Sequence, residues 1–218
     1  DLDDDQSEHH VEKELHDFEP NGSISFSVDF SLKFSRIGAI LRLLGIFQFI
    51  LIPHYIVFFI YSILSSILGF INQLVVLGDN RTIEAFSDIQ ENTLRYLLYI
   101  NASITGVSED LPVYAGREDL NHSLQMKVTH PFKHSKLIAL LRLSGLGLFI
   151  ILLPHYLILL LMTLAVPVIY IIDLISIIIS TRRIYILFDF MNRYYRYLAK
   201  ISAFAMGLID KYPNFKFM

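Results

Sequence analysis

The triplet Pro-His-Tyr occurs twice, at Pro53-His54-Tyr55 and at Pro154-His155-Tyr156, each time inside an apolar run. Neutral imidazole is a competent ligand, and an ionisable side chain inside a membrane segment marks a functional position by default. If His54 and His155 faced one another, they would offer a two-histidine site for haem, a metal ion or a quinone. The competing chemistry is local. Proline removes a backbone donor and crowds the turn before it, and imidazole carries one donor and one acceptor to satisfy the freed groups. One histidine per run, with no second His, Glu or Cys beside it, is a thin ligand set. The six residues are therefore read as polar sites at helix breaks, with no cofactor and no metal expected.

Other polar residues recur at matching points. Arg42 and Arg142 lie a turn or two inside the apolar runs. Arg36 sits at the start of the first run. Such cations snorkel to the headgroups and can bind an anionic lipid phosphate. Arg95-Tyr96 and Arg196-Tyr197 place an arginine beside an aromatic ring, which suits lipid headgroups or a partner's carboxylate. Asp173 is the single acid in its apolar run, with Asn72 at the equivalent point. A proton relay needs several such groups in sequence, so hydrogen bonding to a neighbouring helix is the expectation for both.

The elements that position these residues come from two charge-poor stretches. Ile56 to Leu77 has no charged residue and Leu157 to Ile179 has only Asp173. Each reaches the roughly 20 residues needed to cross about 30 Å of hydrocarbon as a helix. The 218 residues are 54% hydrophobic with a mean hydropathy of +0.50. This composition predicts an all-α integral membrane protein. The chain has no cysteine, which excludes disulfide and thiolate chemistry.

Charge is uneven. Residues 1–20 carry nine acids against Lys13, and removing them from 21 acidic and 18 basic residues leaves 12 and 17. Residues 1–22 are read as a mobile acidic tail, in which His9, His10 and His16 could touch a metal.

The paired motifs belong to a longer correspondence. Ile24–Val28 aligns with Leu124–Val128, and Ile24, Phe26 and Val28 alternate with Ser25 and Ser27, a strand-like period of two. Ser35, Ala39, Arg42 and Gly45 match Ser135, Ala139, Arg142 and Gly145. One inserted residue later the register continues through Arg95-Tyr96 and Arg196-Tyr197 to Pro112 and Pro213. The chain is read as two tandem repeats, 23–115 and 116–218. Each holds a short extended segment, a proline-broken hairpin or long helix, and an amphipathic helix lying in the interface or partly inserted. Leu43 to Leu77 as one straight helix would reach roughly 52 Å, so the proline is the expected break. Asp189, Arg193, Arg196 and Lys200 form one helical stripe, and Glu84, Asp88, Glu91 and Arg95 form its counterpart. Lys33, Arg36 and Arg42, then Lys127, Lys133, Lys136 and Arg142, mark where each unit enters the membrane. The positive-inside tendency puts both on the cytoplasmic face. That predicts parallel repeats about an axis along the membrane normal, with four crossings.

"SRIGAILRLLGIFQFILIPHYIV" and "STRRIYILFDFMNRYYRYLAKISAFAMGLIDKYPNF" resemble a prokaryotic membrane family, domain of unknown function 4389. The second half supplies Arg142, Pro154-His155, Arg183, Phe188-Asp189-Phe190, Arg196-Tyr197 and Tyr212-Pro213-Asn214-Phe215. The first keeps Ser35-Arg36, Arg42, Pro53-His54 and Arg95-Tyr96, with Leu111-Pro112 in place of Tyr-Pro. The resemblance implies a multi-pass protein of the prokaryotic cytoplasmic (inner) membrane. It supplies no activity to transfer.

No phosphate loop, HExxH or nucleophile elbow occurs, and no catalytic residue is assigned. The basic residues form no groove with stacking aromatics, so nucleic acid is not an expected partner. The expected partners are the bilayer, anionic lipids, and other membrane subunits or copies of the chain. The leading expectation is a non-enzymatic membrane scaffold or accessory subunit. The alternative is a small oligomeric transporter, channel or lipid-handling protein.

Overall fold

A computed structural model describes residues 21–30 and 34–215. Residues 1–20, which hold the acids and the three histidines of the tail, and Lys33 lie outside them. Strand β1 is Ser23–Val28. Ser35 then accepts the N–H of Gly38 and starts helix α1, Arg36–Leu43; a serine oxygen at this position satisfies an otherwise orphan donor. Gly45, at φ 72°, turns the chain into α2, Ile46–Ile50. Helix α3, Ile52–Asp79, carries Pro53 in its first turn, where no intrahelical N–H is needed. Helix α4, Glu84–Ile104, follows a short turn. A 3-10 turn at Tyr114–Gly116 leads to β2, Leu124–Thr129.

Beyond β2 the chain again forms a short helix, a long helix and a further helix, with no counterpart of α2. Helix α5 is Lys136–Ser144, and Gly145, at φ 60°, hands over to α6, Leu146–Ser180. Helix α7 is Tyr185–Met206. With 68% helix and seven α-helices among the described residues, the class is mostly helical, as expected.

The break expected at the prolines falls beside Pro53 alone: α2 ends at Ile50 and α3 begins at Ile52, so the helix is interrupted at Leu51. Pro154 and Pro167 both lie inside the continuous α6, and Pro53 opens α3 rather than interrupting it. Both halves turn also at Gly45 and Gly145, where a positive φ costs glycine no steric clash. In α6 each proline forfeits one hydrogen bond, and the helix continues on either side.

The strands pair antiparallel with Phe26 opposite Met126, Ile24 opposite Val128 and Val28 opposite Leu124. Aligned positions thus exchange partners about the centre of the ribbon, as in an approximately twofold arrangement. The helices obey the same exchange. Helix α1 packs on α6, and α5 packs on α3. Arg36 donates to Ile179 O, and Lys136 donates to Gly78 O. His134 N–H donates to Asn80 O, and Asn80 Nδ2 returns a bond to His134 O.

These contacts overturn the parallel arrangement. The helix preceding each long helix sits at the C-terminal end of the other long helix, so α3 and α6 run in opposite senses. The basic residues expected to mark one membrane face are divided between the two ends of the long helices. Arg36 and Lys136 instead meet the carbonyl-rich, negative ends of helices from the opposite half.

Three layers result. Arg95 and Glu91 of α4 turn to the ribbon, at Met126 O and at Val128 N–H and His130. Tyr96, Ser87 and Gln90 turn the other way, to His54 and Asn72 of α3. The pair α4 and α7 therefore lies between the ribbon and the long helices. The main core joins Phe26, Val28, Leu124, Met126 and Val128 to Leu94, Leu98, Tyr195, Tyr197 and Phe204, with both halves contributing. Two helices, α3 and α6, are long and apolar enough to cross a membrane. The four crossings expected would have needed α4 and α7 as well, and these are charged helices packed inside the protein.

Candidate functional site

The two histidines are held alike. His54 is buried, and its Nδ1 lies 2.9 Å from the Tyr96 hydroxyl. His155 is fully buried, with Nδ1 2.6 Å from Tyr197 Oη. The His54 ring stacks on Tyr114 at 4.2 Å, and the His155 ring stacks on Phe215 at 4.4 Å. Each imidazole is thus fixed by a tyrosine from its own amphipathic helix and covered by an aromatic ring from the loop beyond it. Nε2 of His155 is buried with no hydrogen-bond partner. No group of three or more His, Asp or Glu side chains able to hold a metal converges among the described residues.

Pro53 and Pro154 are exposed beside these histidines. Tyr55 Oη donates to Gln48 Oε1 at 2.7 Å, and Tyr156 stacks on Phe149 at 5.9 Å. The Pro-His-Tyr triplets therefore send histidine inward and leave proline at the surface.

Arg42 and Arg142, expected at the headgroups, are enclosed by their own chain. Arg42 donates to Ser103 O and Ser108 O, at 2.9 and 3.4 Å. Arg142 donates to the matching Phe204 O and Ile209 O, at 2.9 and 2.7 Å, and to Asp210 Oδ1 at 2.8 Å. A guanidinium fork offers several donors in a fixed plane, which suits the divergent carbonyls at a helix end. Burial pushes both arginines below their usual pKa, with Asp210 working against that shift at Arg142. Asp210 also accepts the Ser135 N–H, and Glu109 accepts the Ser35 N–H at 2.8 Å. Burial alone would raise the Asp210 carboxyl; the bond with His134, the charge of Arg142 and the Ser135 N–H together hold it below the ordinary value.

Arg95 is buried too, donating to Met126 O, Gly116 O, Asn92 and Glu91. These partners occupy the arginine that the sequence assigned to lipid or another subunit. Arg196 is half-buried, and Arg36 remains exposed. The charged stripes of α4 and α7 pair within their own helices, Arg95 with Glu91 and Arg193 with Asp189.

Asn72 bonds a neighbouring helix, whereas Asp173 bonds the turn that follows its own. Asn72 Oδ1 accepts the Ile83 N–H at 2.9 Å, and its Nδ2 donates to Ser87 and Gln90. Asp173 pairs with the buried Arg183 at 2.7 Å, which also donates to Gly106 O and Val107 O beyond the end of α4. Gln90 of the first half reaches Met206 O at the end of α7.

Sequence reasoning missed Glu109, Asp210, Tyr114, Gln90 and the structural roles of Phe215 and Arg183. The aligned register held the signal for two of them, because Glu109 and Asp210 put an acid at the same point of both halves.

The largest feature is apolar. On α3, Ile52, Ile56, Phe59, Ile60, Ile63, Leu64, Ile67, Phe70, Ile71 and Leu74 are exposed, covering an arc of about 140° at 100° per residue. Leu146, Phe149, Leu153, Leu157, Leu160, Leu164, Val168, Ile172 and Ile179 mark an arc of similar width on α6. Only 17% and 11% of their most apolar stretches are buried.

Compared with protein-family models, curated proteins and solved structures, the chain matches none.

Proposed function

We propose that this chain is a non-enzymatic membrane scaffold or accessory subunit, built from a duplicated unit and resident in the prokaryotic cytoplasmic membrane. The observation that carries the reading is the pair of apolar stripes running the full length of α3 and α6. Apolar surface of this continuity marks a membrane or protein contact in a folded chain. The recurrent polar residues support a structural role. His54, His155, Arg42, Arg142, Arg95 and Asp173 each hold one element against another. The outer face of the ribbon, with Ser25, Ser27 and Lys127 exposed, is the surface left for a partner outside the bilayer.

The test is extraction of the full chain from native membranes in mild detergent, followed by native mass and identification of co-migrating chains. A stoichiometric larger complex is the expected result. A lone monomer would remove the accessory-subunit reading and direct attention to lipid handling or transport.

A further inference from the structure

We propose that α3 and α6 lie flat in one leaflet of the bilayer, so that the protein sits in the membrane from one side and does not span it. The inference rests on the membrane reading above and on nothing about a partner.

Each long helix turns its buried residues to the amphipathic pair and its apolar arc the opposite way. On α3 the buried set is His54, Ser65, Gly69, Asn72, Gln73 and Val76. At 100° per residue their mean direction lies about 180° from the centre of the exposed arc. On α6, Leu152, His155, Asp173, Leu174 and Ile177 stand in the same relation to its arc. Both apolar arcs thus face away from α4 and α7, and the ribbon lies on the far side of that pair. One broad face is apolar and the opposite one is polar.

The exchange of contacts fixes the rest. The axis relating the halves passes through the Phe26–Met126 pair and runs across the long helices, which point in opposite senses. If α3 and α6 stood upright in a bilayer, that axis would lie in the membrane plane at mid-depth. Ser25, Ser27 and the charged Lys127 would then sit at the bilayer centre. So would Lys200, near the crossing of α4 and α7, and Arg193 would lie within about two turns of it. Each basic group at that depth costs about 2.5–3.5 kcal/mol even on the mildest scale.

Turned by a right angle, the same structure meets no such penalty. The axis follows the membrane normal, and the ribbon faces water. A layer one helix thick, about 10 Å, enters to the 5–10 Å typical of in-plane helices. Ile37, Ile40, Leu137 and Leu140 of the two short helices are exposed as well and extend the apolar face. Length agrees: α6, with 35 residues, measures about 52 Å, far more than the 30 Å or so of hydrocarbon. Exposed cations stand at both ends of the long-helix layer. Arg36 and Arg182 are at one end and Arg81, Lys133 and Lys136 at the other, suited to phosphate headgroups around the rim of the inserted layer.

The absence of cysteine from the sequence makes the test direct. Single cysteines at Leu146, Leu157, Leu164, Ile172 and Ile179, all exposed, are nitroxide-labelled in the full chain. The labelled protein is then bound to vesicles of phosphatidylethanolamine and phosphatidylglycerol. Depth is read from relative accessibility to oxygen and a water-soluble nickel chelate, with Ser27→Cys as the ribbon control. The proposal requires one shallow depth along all five positions and an aqueous signal at position 27. A profile that deepens to about 15 Å near position 164 and falls toward both ends overturns it while leaving membrane residence intact. Aqueous signals at every position overturn the membrane reading as well.

Discussion

The guanidinium of Arg142 stands 2.8 Å from the Asp210 carboxylate, with both side chains buried, and the same carboxylate accepts the N–H that opens α5. One ion pair thus ties the start of a short helix to the loop beyond α7. Removing one member of a buried pair typically costs about 3–5 kcal/mol, because the other charge is left uncompensated. Arg142→Met should destabilise the folded chain on that scale in chemical denaturation, whereas Arg36→Met, at an exposed helix-end contact, should cost about 0.3–1 kcal/mol. Equal losses from the two substitutions would contradict the structural assignment.

The histidines give a second prediction. Tyr197→Phe removes one hydroxyl and leaves the ring in place, so it isolates the bond to His155. Leaving a buried polar group unsatisfied costs about 1–3 kcal/mol. Tyr96→Phe should act the same way on His54. Denaturation in a double-mutant cycle with His155→Leu should show that the two changes are not additive. Full additivity would mean that the 2.6 Å contact contributes nothing.

Two groups outside the long helices make stability depend on pH with opposite signs. The hydrogen bond to Glu91 raises the His130 pKa above its ordinary 6.5. Its contribution is therefore fully present below pH 6.5 and is lost as pH rises through the folded value. Asp210 is depressed below 3.8, so its contribution is present above that pH and is lost as pH falls through the folded value. Melting temperatures of the parent and His130→Gln should differ most in mildly acidic buffer and converge in alkaline buffer. A difference that grows with pH would contradict the His130–Glu91 contact.

Backbone approach supplies a further contrast. A Cβ at Gly116 would stand 1.8 Å from Asn92 O, at φ +64°. At Gly45, φ is +72° but nothing lies within 4 Å. Gly45→Ala should cost the conformational term alone, about 1–2 kcal/mol. Gly116→Ala adds a backbone clash and should lower the yield of folded protein far more. Similar melting temperatures for both variants would contradict the packing of the 3-10 turn on α4.

Much of this architecture was legible in the sequence because it is local. The alternation of Ile24, Phe26 and Val28 and the charge-free stretches each announce an element through short-range pattern, whereas the triplet at Pro154 suggests a break that α6 does not contain. Their mutual arrangement depends on contacts between halves, such as Arg36 with Ile179 O and Lys136 with Gly78 O, which no local period encodes. Reading the arginines as headgroup markers therefore gave the wrong sense to the halves. The burial of Arg42, Arg142 and Arg95 was hidden for the same reason: their acceptors are mostly backbone carbonyls, invisible in residue identity. In the sequence Tyr96 and Tyr197 read as interfacial rings, and only the fold brings them to the histidines.

The central claim is that the two apolar stripes are buried in lipid. Flotation of the full chain with phospholipid vesicles, before and after an alkaline carbonate wash, tests it most directly. Protein that stays in the floating fraction through the wash is the predicted result. Protein that remains monomeric and soluble without detergent, and sediments away from the vesicles, would contradict it.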